Sequence, residues 1–372
     1  MKKVNVGIIG MGFIGKLHYR ALSVLPFIKI KAVCVSRPEK TAEVKAQYPA
    51  DIVSDDWRMI IEDPSVEVIH NCTPNHLHDE INEAAIKAGK HIYAEKPLSL
   101  AAGKAHDIWK LAEKYGIAHG VNHQYRFHPA VMEMKNRIRE GKAGQLFFIR
   151  GCYLQDSLTR RNDYSKRRIP ETSPARAVLD IGVHWADLAA YVLSSPVEKV
   201  YARMYTHYPA RTDPLTGKEM KIHSDDTTSV MVKFLNGVEG HALFSKCMAG
   251  HKNDLVITVS GGEKEYSWEQ QRCDLLCVGS RENGNAVEYM CKENCGDEVL
   301  PYITLPPGHT QGWRDALVNA LYAFYKSIYD GSYKKGKMEY ATFEDGWKGN
   351  CFVEACLKSA KENRWVSLEE EK

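Results

Sequence analysis

The sequence predicts an α/β protein built from two dissimilar domains, and three observations carry that prediction. Short apolar runs alternate with amphipathic helical stretches through the first third of the chain, which implies a doubly wound parallel sheet. A glycine fingerprint, Gly10-x-Gly12-x-x-Gly15, follows the first apolar run directly. From about Tyr125 the pattern changes to successive strand-like runs, the signature of a largely antiparallel sheet. A length of 372 residues exceeds the usual size of one core, so the chain is divided into residues 1–125 and 126–372.

In the first domain, strands are expected near Val4 to Ile9, Ile28 to Val35, Val66 to Cys72, His91 to Ala94 and Ile117 to Val121. Helices are expected between them, near Lys16 to Leu25, Thr41 to Gln47, Leu77 to Ala88 and Leu100 to Lys114. The fingerprint glycines have separate physical roles. Gly10 permits the tight turn, Gly12 lets the backbone approach a pyrophosphate, and Gly15 lets helix and strand pack closely. Phe13 and Ile14 complete the turn, and the free N–H groups of the following helix suit an anion. The second strand ends in Ser36-Arg37 in place of the acidic residue usual at an NAD ribose. Ser36 does not repel a 2′-phosphate and Arg37 can pair with one, so the pair favours NADP over NAD. The other reading of Arg37 is a side chain stacked on the adenine or turned to water.

Ligands of such sheets bind beyond the C-terminal strand ends. Those ends carry Gly10, Ser36, Thr73-Pro74-Asn75, Glu95-Lys96-Pro97 and Asn122. Asn75 reads as a helix N-cap, and Thr73, Asn75 and His78 read equally as cofactor neighbours. His76 and His78 form an H-x-H pair without evident further ligands, so no metal is assigned there.

The second domain opens with a helical stretch, Pro129 to Arg139, and a strand-like run, Gln145 to Tyr153. A polar basic stretch from Arg160 to Arg176 is expected to be a loop over the site, or a solvated surface loop. A helix from Asp180 to Leu193 follows, then strand-like runs Val197 to Tyr205, Thr227 to Phe234, Val238 to Lys246 and Asp254 to Ser260, with others to about Val278. Two long helical patterns, Trp313 to Asp330 and Phe343 to Glu362, close the chain.

Composition narrows the function classes. Lys plus Arg 50 against Asp plus Glu 47 leaves a net charge of +3, too balanced for a nucleic-acid or anionic-membrane binder. No apolar run is long enough to span a bilayer, and no secretory signal pattern opens the sequence, so a cytoplasmic location is expected. Cys273, Cys277, Cys291 and Cys295 form two C-x-x-x-C pairs. The spacing departs from zinc knuckles and the first pair falls on an expected strand, Arg272 to Val278, so free thiols in a reducing compartment are the preferred reading.

Two stretches carry the chemistry. Glu95-Lys96-Pro97 places an ammonium at the end of a buried strand, and Asp180-Ile181-Gly182-Val183-His184 places a carboxylate and an imidazole on one helix face. Trp185, His309 and Trp313 suit the faces of a sugar, with core packing the preferred assignment.

The matching residues are Gly10-x-Gly12-x-x-Gly15, Thr73-Pro74-Asn75-x-x-His78, Glu95-Lys96-Pro97, Tyr125-Arg126-Phe127, Asp180-x-Gly182-x-His184-x-x-Asp187 and the late Phe343-Glu344-Asp345-Gly346. On these, nearly the whole chain resembles the glucose-fructose oxidoreductase, inositol dehydrogenase and rhizopine-catabolism (Gfo/Idh/MocA) family. The resemblance implies an N-terminal Rossmann domain and a C-terminal α/β domain with a large, mostly antiparallel open sheet that forms a homodimer or homotetramer interface. It also implies chemistry on sugars, cyclitols or glycosides, with substrate identity varying with the loop from Leu154 to Arg176. Together with the strand-end positions of Ser36, Arg37 and Asn122, it places Gly10, Gly12, Phe13, Ile14, Gly15, Thr73, Pro74, Asn75, His78, Glu95, Lys96 and Arg126 at the dinucleotide. Lys96, Tyr125, Arg126, Asp180 and His184 fall at the substrate.

Oxidising a secondary alcohol requires removal of a hydroxyl proton as hydride leaves carbon. Neutral His184 can take that proton, Asp180 can orient the imidazole, and Lys96 can stabilise the alkoxide or polarise the ketone. Which of Lys96 and His184 moves the proton stays open. Arg126 and Asp187 are expected to position substrate or cofactor. The same groups also suit a redox-neutral lyase or glycosidase acting through transient ring oxidation. A non-catalytic dinucleotide sensor is the third reading, which retention of Lys96, Asp180 and His184 disfavours.

Overall fold

The computed structural model describes residues 3–163, 175–214, 216–336 and 338–371. Much of the polar basic stretch that sequence assigns to a loop, residues 164–174, therefore lies outside the described residues. The chain divides into two compact units, residues 1–124 with 314–347, and residues 125–313 with 348–372.

The first unit is a six-stranded parallel sheet wrapped by helices. In chain order it contains β1 (Val4–Ile9), α1 (Phe13–Leu22), β2 (Ile28–Cys34), α2 (Thr41–Gln47), β3 (Ile52–Ser54), α3 (Trp57–Glu62), β4 (Val68–Asn71), α4 (His78–Lys87), β5 (His91–Ala94), α5 (Ala102–Tyr115) and β6 (His119–Val121). The spatial order is β3-β2-β1-β4-β5-β6, so the direction of winding reverses between β1 and β4. A crevice opens at such a reversal, beyond the carboxyl ends of the strands. The central strands are apolar on both faces because helices cover both; Val6, Ile8, Val68, Ile69, Ile92 and Ala94 are all fully buried.

The pair β3 and α3 is absent from the sequence-based reading. Three residues are too few to show a period, but α3 does carry a start signal, since the Asp56 carboxylate accepts the Arg58 amide at 3.0 Å. Asn75 is not the N-cap expected of it. It is exposed and begins a short 3-10 turn, Asn75–Leu77, with no side-chain cap, so the chain tightens before α4 starts.

The second unit contains α6 (Pro129–Arg139), β7 (Leu146–Leu154), α7 (Val183–Leu193), β8 (Val197–Tyr205), β9 (Ala210–Thr212), β10 (Glu219–Lys221), β11 (Thr227–Phe234), β12 (Glu239–Ser245), β13 (Asp254–Gly261), β14 (Lys264–Glu269), β15 (Leu275–Ser280) and β16 (Ala286–Tyr289). Helix α8 (Trp313–Tyr329) packs with the first unit, and β17 (Val366–Ser367) follows α9 (Phe343–Glu362) near the C-terminus. Nine strands form one open sheet in the order β16-β15-β14-β13-β7-β12-β11-β8-β17. Every neighbouring pair is antiparallel except β7 and β12. Cys273 follows a 3-10 turn and precedes β15, so the strand expected from Arg272 starts later, at Leu275.

Glycines let α7 settle on this sheet. A Cβ at Gly151 would lie 2.3 Å from Trp185 Nε1, and one at Gly182 would lie 2.8 Å from the Phe244 ring. Trp185 is fully buried and donates to the Val256 carbonyl at 3.2 Å, confirming it as core.

Candidate functional site

In the first unit, the residues that sequence assigns to the dinucleotide stand at the C-terminal edge of the parallel sheet. Gly10 has φ +99°, a left-handed conformation, and a Cβ there would lie 2.6 Å from the Cys72 carbonyl oxygen. At Gly15 a Cβ would lie 2.0 Å from the Gly10 carbonyl oxygen, so only glycine lets α1 start so close to the turn. Gly12 differs, since a Cβ would meet nothing within 4 Å. The open space beside Gly12 and the N-terminus of α1, which has no side-chain cap and no acid in its first turn, fit a pyrophosphate. Phe13 is exposed in that first turn, and Ile14 is half-buried. Ser36 and Arg37 are exposed beyond β2. Two acids, Asp55 and Asp56, follow β3 and help burial push the Cys34 thiol up to about 12.

Thr73 is held by Asn71, whose Oδ1 accepts both the Thr73 hydroxyl at 2.6 Å and its amide at 3.3 Å. Pro74 is exposed. His78 is fully buried, with Nδ1 at 2.7 Å from the Pro97 carbonyl and Nε2 at 3.0 Å from the Thr73 carbonyl. It thus ties the turn after β4 to the turn after β5. Burial pulls its imidazole below the ordinary range, while the two carbonyls pull the other way. Lys96 is half-buried on the second turn, and its peptide bond to Pro97 is cis. Glu95 lies behind it, its Oε1 accepting from His18 Nε2 at 3.0 Å and from Asn122 Nδ2 at 2.6 Å.

Asp180, His184, Tyr125 and Arg126 belong to the second unit. Asp180 does not sit in a regular α-helix. Residues Val178–Gly182 form a π-helical turn ahead of α7, a distortion frequent at functional sites. The Asp225 carboxylate anchors the start of that turn, accepting the amides of Arg176 at 2.6 Å and Val178 at 2.9 Å. The Asp180 side chain is 44% exposed, and its Oδ2 lies 2.5 Å from the Nζ of Lys246, which is fully buried. Lys246 also donates to Gln155 Oε1 at 3.0 Å.

His184 is buried in α7, with the Tyr125 ring edge-on at 5.1 Å and Tyr153 at 6.2 Å between centroids. The two phenol oxygens are 2.7 Å apart, Tyr153 donates to Asn253 Oδ1 at 2.8 Å, and Trp313 Nε1 donates to the Tyr125 oxygen at 3.2 Å. Burial, then Tyr125 and Asp180, push the Tyr153 phenol well above its ordinary range, so it stays a neutral donor. Arg126 makes a two-pronged pair with Asp187, Nε to Oδ2 at 2.8 Å and Nη2 to Oδ1 at 2.5 Å, with both side chains buried. Its guanidinium also lies over the Tyr191 ring at 5.1 Å.

Sequence reasoning missed Lys246, Gln155, Tyr153 and Asn253. Lys246 is the first residue past β12 and reads as an ordinary strand-end lysine; only the fold shows that it is buried under Asp180. His309 is exposed. Among the described residues, no group of three or more His, Cys, Asp or Glu is arranged to hold a metal ion, and the ten cysteines are free thiols. No helix among the described residues is long and apolar enough to cross a membrane.

Residues 4–123 match the model of the oxidoreductase family with an NAD-binding Rossmann fold, and residues 131–266 match the GFO/IDH/MocA C-terminal domain. The chain belongs to the GFO/IDH/MocA family. Among its relatives, levoglucosan dehydrogenase of Pseudarthrobacter phenanthrenivorans is 29% identical over 99% of both chains. Myo-inositol 2-dehydrogenase of Thermotoga maritima is 24% identical, again over 99% of both. Among solved structures, levoglucosan dehydrogenase in complex with NADH and L-sorbose superposes with a TM-score of 0.90 at 29% identity, covering 99% of each chain. The first family model spans Gly10 and Lys96, and the second spans Asp180 and His184.

Proposed function

We propose that this protein is an NAD(P)-dependent oxidoreductase that interconverts a secondary alcohol and a ketone on a sugar, cyclitol or glycoside. The observation that carries the reading is the placement of Lys96 at the same sheet edge as the Gly10, Gly12 and Gly15 turn, whose open space fits a pyrophosphate. The dehydrogenases of levoglucosan and myo-inositol among its relatives support the substrate class.

When bound, the dinucleotide supplies hydride exchange at its nicotinamide ring. Gly10, Gly12, Phe13, Ile14 and Gly15 hold its pyrophosphate, and Ser36 and Arg37 meet the adenosine ribose. Thr73, Pro74, Asn75, His78, Glu95, Asn122 and Arg126 complete or support the cofactor site. The Ser36-Arg37 pair favours NADP. Neutral His184 takes the hydroxyl proton of the substrate alcohol at a ring nitrogen, and Lys96 as ammonium stabilises the oxygen left behind. In the ketone direction the same ammonium polarises the carbonyl, and the imidazolium returns the proton. Asp180, fixed by Lys246, orients His184 or accepts a substrate hydroxyl. Tyr125 walls the imidazole, and Arg126 with Asp187 fixes the start of the second unit against α7.

The outward face of the nine-stranded sheet leaves Phe148, Met231, Val287 and Tyr289 exposed. That face supports assembly into a homodimer or homotetramer, which light scattering would read directly. Free thiols suit a reducing, cytoplasmic setting.

The test is the absorbance of reduced nicotinamide when the protein and NAD or NADP meet a panel of cyclitols, free sugars and glycosides. A signal with one substrate class that is lost in Lys96→Ala supports the proposal. Silence across the panel despite dinucleotide binding overturns it and favours the redox-neutral lyase or the sensor.

A further inference from the structure

Behind Lys96 lies a chain of buried polar side chains that the proposed reaction does not use. Tyr325 of α8, His70 of β4 and His18 of α1 are all fully buried. The Tyr325 hydroxyl lies 2.7 Å from His70 Nε2, His70 Nδ1 lies 2.8 Å from His18 Nδ1, and His18 Nε2 lies 3.0 Å from Glu95 Oε1. A second branch reaches the same oxygen: Tyr93 donates to Asn122 Oδ1 at 3.3 Å, and Asn122 Nδ2 donates to Glu95 Oε1 at 2.6 Å. The rings also pack together, His70 stacking on Tyr325 at 5.9 Å and on Tyr93 at 5.4 Å.

Donor and acceptor counting selects one proton arrangement. A neutral imidazole has one donor nitrogen and one acceptor nitrogen. If Glu95 is ionised, His18 donates from Nε2 and must accept at Nδ1. His70 then donates from Nδ1 and accepts at Nε2, and the Tyr325 O–H donates to it. Every polar hydrogen in the row finds an acceptor. The alternative places an imidazolium at His18. His18 Nδ1–H then points at His70 Nδ1, His70 Nε2–H points at the Tyr325 oxygen, and the buried Tyr325 hydrogen loses its acceptor. An orphaned buried donor costs about 1–3 kcal/mol. Solvation agrees with a neutral His70, because burial holds its imidazole well below its ordinary value. Burial pushes the Glu95 carboxyl up, but the His18 hydrogen bond, the positive charge His18 carries whenever it is protonated, the Asn122 donor and the Lys96 ammonium outweigh it and hold it below the usual glutamate range. The other ionisable groups around Glu95 are Cys72, whose thiol burial and Glu95 push well up, and His78.

We propose that Tyr325, His70 and His18 are positioning residues for Lys96, forming a one-directional hydrogen-bond chain that keeps Glu95 ionised and in one rotamer under the Glu95-Lys96-Pro97 turn. The inference rests on the reading of Lys96 as a reacting group. Each donor in the row polarises the next, so a change at Tyr325 is felt at Glu95 three hydrogen bonds away. Lys96 then meets its substrate from a turn fixed by His78 on one side and by the ionised Glu95 on the other.

Nitrogen-15 correlation spectra of the full-length protein labelled at histidine test the chain directly. The expected result at neutral pH is His70 protonated at Nδ1 alone, the rarer neutral tautomer, and His18 protonated at Nε2 alone, assigned by loss of signals in His70→Asn and His18→Gln. Tyr325→Phe removes the terminal donor with little change in volume. It is expected to shift both histidine signals and to lower kcat about tenfold with the sugar KM unchanged. His18→Leu is expected to lose more activity than His18→Gln, whose amide can still donate to Glu95. An imidazolium at His18, or a His70 proton on Nε2, overturns the proposal. So does a Tyr325→Phe protein with a lower thermal midpoint but unchanged kcat, since that marks a purely structural role. Full activity in Lys96→Ala would overturn the reading of Lys96 itself, whereas the tautomer spectra would still report on the chain.

Discussion

Replacing Gly12 and Gly15 separately by alanine distinguishes a binding turn from a merely tight one. At Gly12 an added Cβ meets no atom within 4 Å, and the backbone angles, φ −77° and ψ −160°, are open to any residue. The fold therefore loses only the small difference between glycine and alanine at a helix N-cap, below about 1 kcal/mol. The methyl group nevertheless fills the space assigned to the pyrophosphate, so dinucleotide affinity is expected to fall at least tenfold, about 1.4 kcal/mol. Gly15→Ala reverses the pattern. Its Cβ starts 2.0 Å from the Gly10 carbonyl oxygen, a backbone atom that cannot swing aside. Helix α1 must move away from β1, and such overpacking costs about 1–3 kcal/mol. At about 2–4 °C per kcal/mol for a domain of this size, the midpoint falls by about 2–12 °C. Differential scanning calorimetry reads the first quantity, and quenching of protein fluorescence by added dinucleotide reads the second. Gly12→Ala with native affinity would refute the assignment of that space to the cofactor, and Gly15→Ala with a native midpoint would refute the close-approach argument.

Other predictions concern the second unit. Asp187→Ala removes the two-pronged carboxylate partner of the buried Arg126 guanidinium and is expected to cost about 3–5 kcal/mol in urea denaturation, most of it recovered in Arg126→Met/Asp187→Leu. Lys246→Met removes the buried cation that holds Asp180, so kcat should fall while dinucleotide affinity holds; equal losses in both would reject the positioning role. Stability should fall as acid is added, because burial lowers the His128 imidazole to about 3, so the unfolded chain binds its proton first. The contribution is fully present above the unfolded value of 6.5 and is lost as pH falls from there towards about 3, at up to about 1.4 kcal/mol per pH unit. His128→Phe should flatten that slope in a pH series of thermal midpoints.

The sequence made the parallel sheet legible because its central strands are buried on both faces and read as continuous apolar runs, from Val4 to Ile9 and His91 to Ala94. It hid β3, whose three half-buried residues give no pattern. The glycine turn and the Lys96 and His184 motifs were visible because their residue types are rare at those positions. The π-helical turn at Val178–Gly182 was not, since its anchor, Asp225, lies far along the chain. Lys246 and the His18–His70 pair escaped for the same reason. Their partners are remote in sequence, and a lysine after a strand or a histidine in an apolar run is ordinary until the fold joins them. Asn75 misled because a short 3-10 turn precedes the helix it was expected to cap.

The central claim is hydride exchange between a carbinol carbon and the nicotinamide ring, with Lys96 and His184 managing the proton and charge on oxygen. Its most direct test uses a substrate found in the sugar and cyclitol panel, carrying deuterium on the oxidised carbon, with mass spectrometry of the recovered dinucleotide. The account predicts one deuterium in the reduced dinucleotide and one ketone formed per label transferred, with both lost in Lys96→Ala and His184→Ala. Ketone or cleaved product without net label in the dinucleotide, or undiminished transfer in both variants, would contradict it.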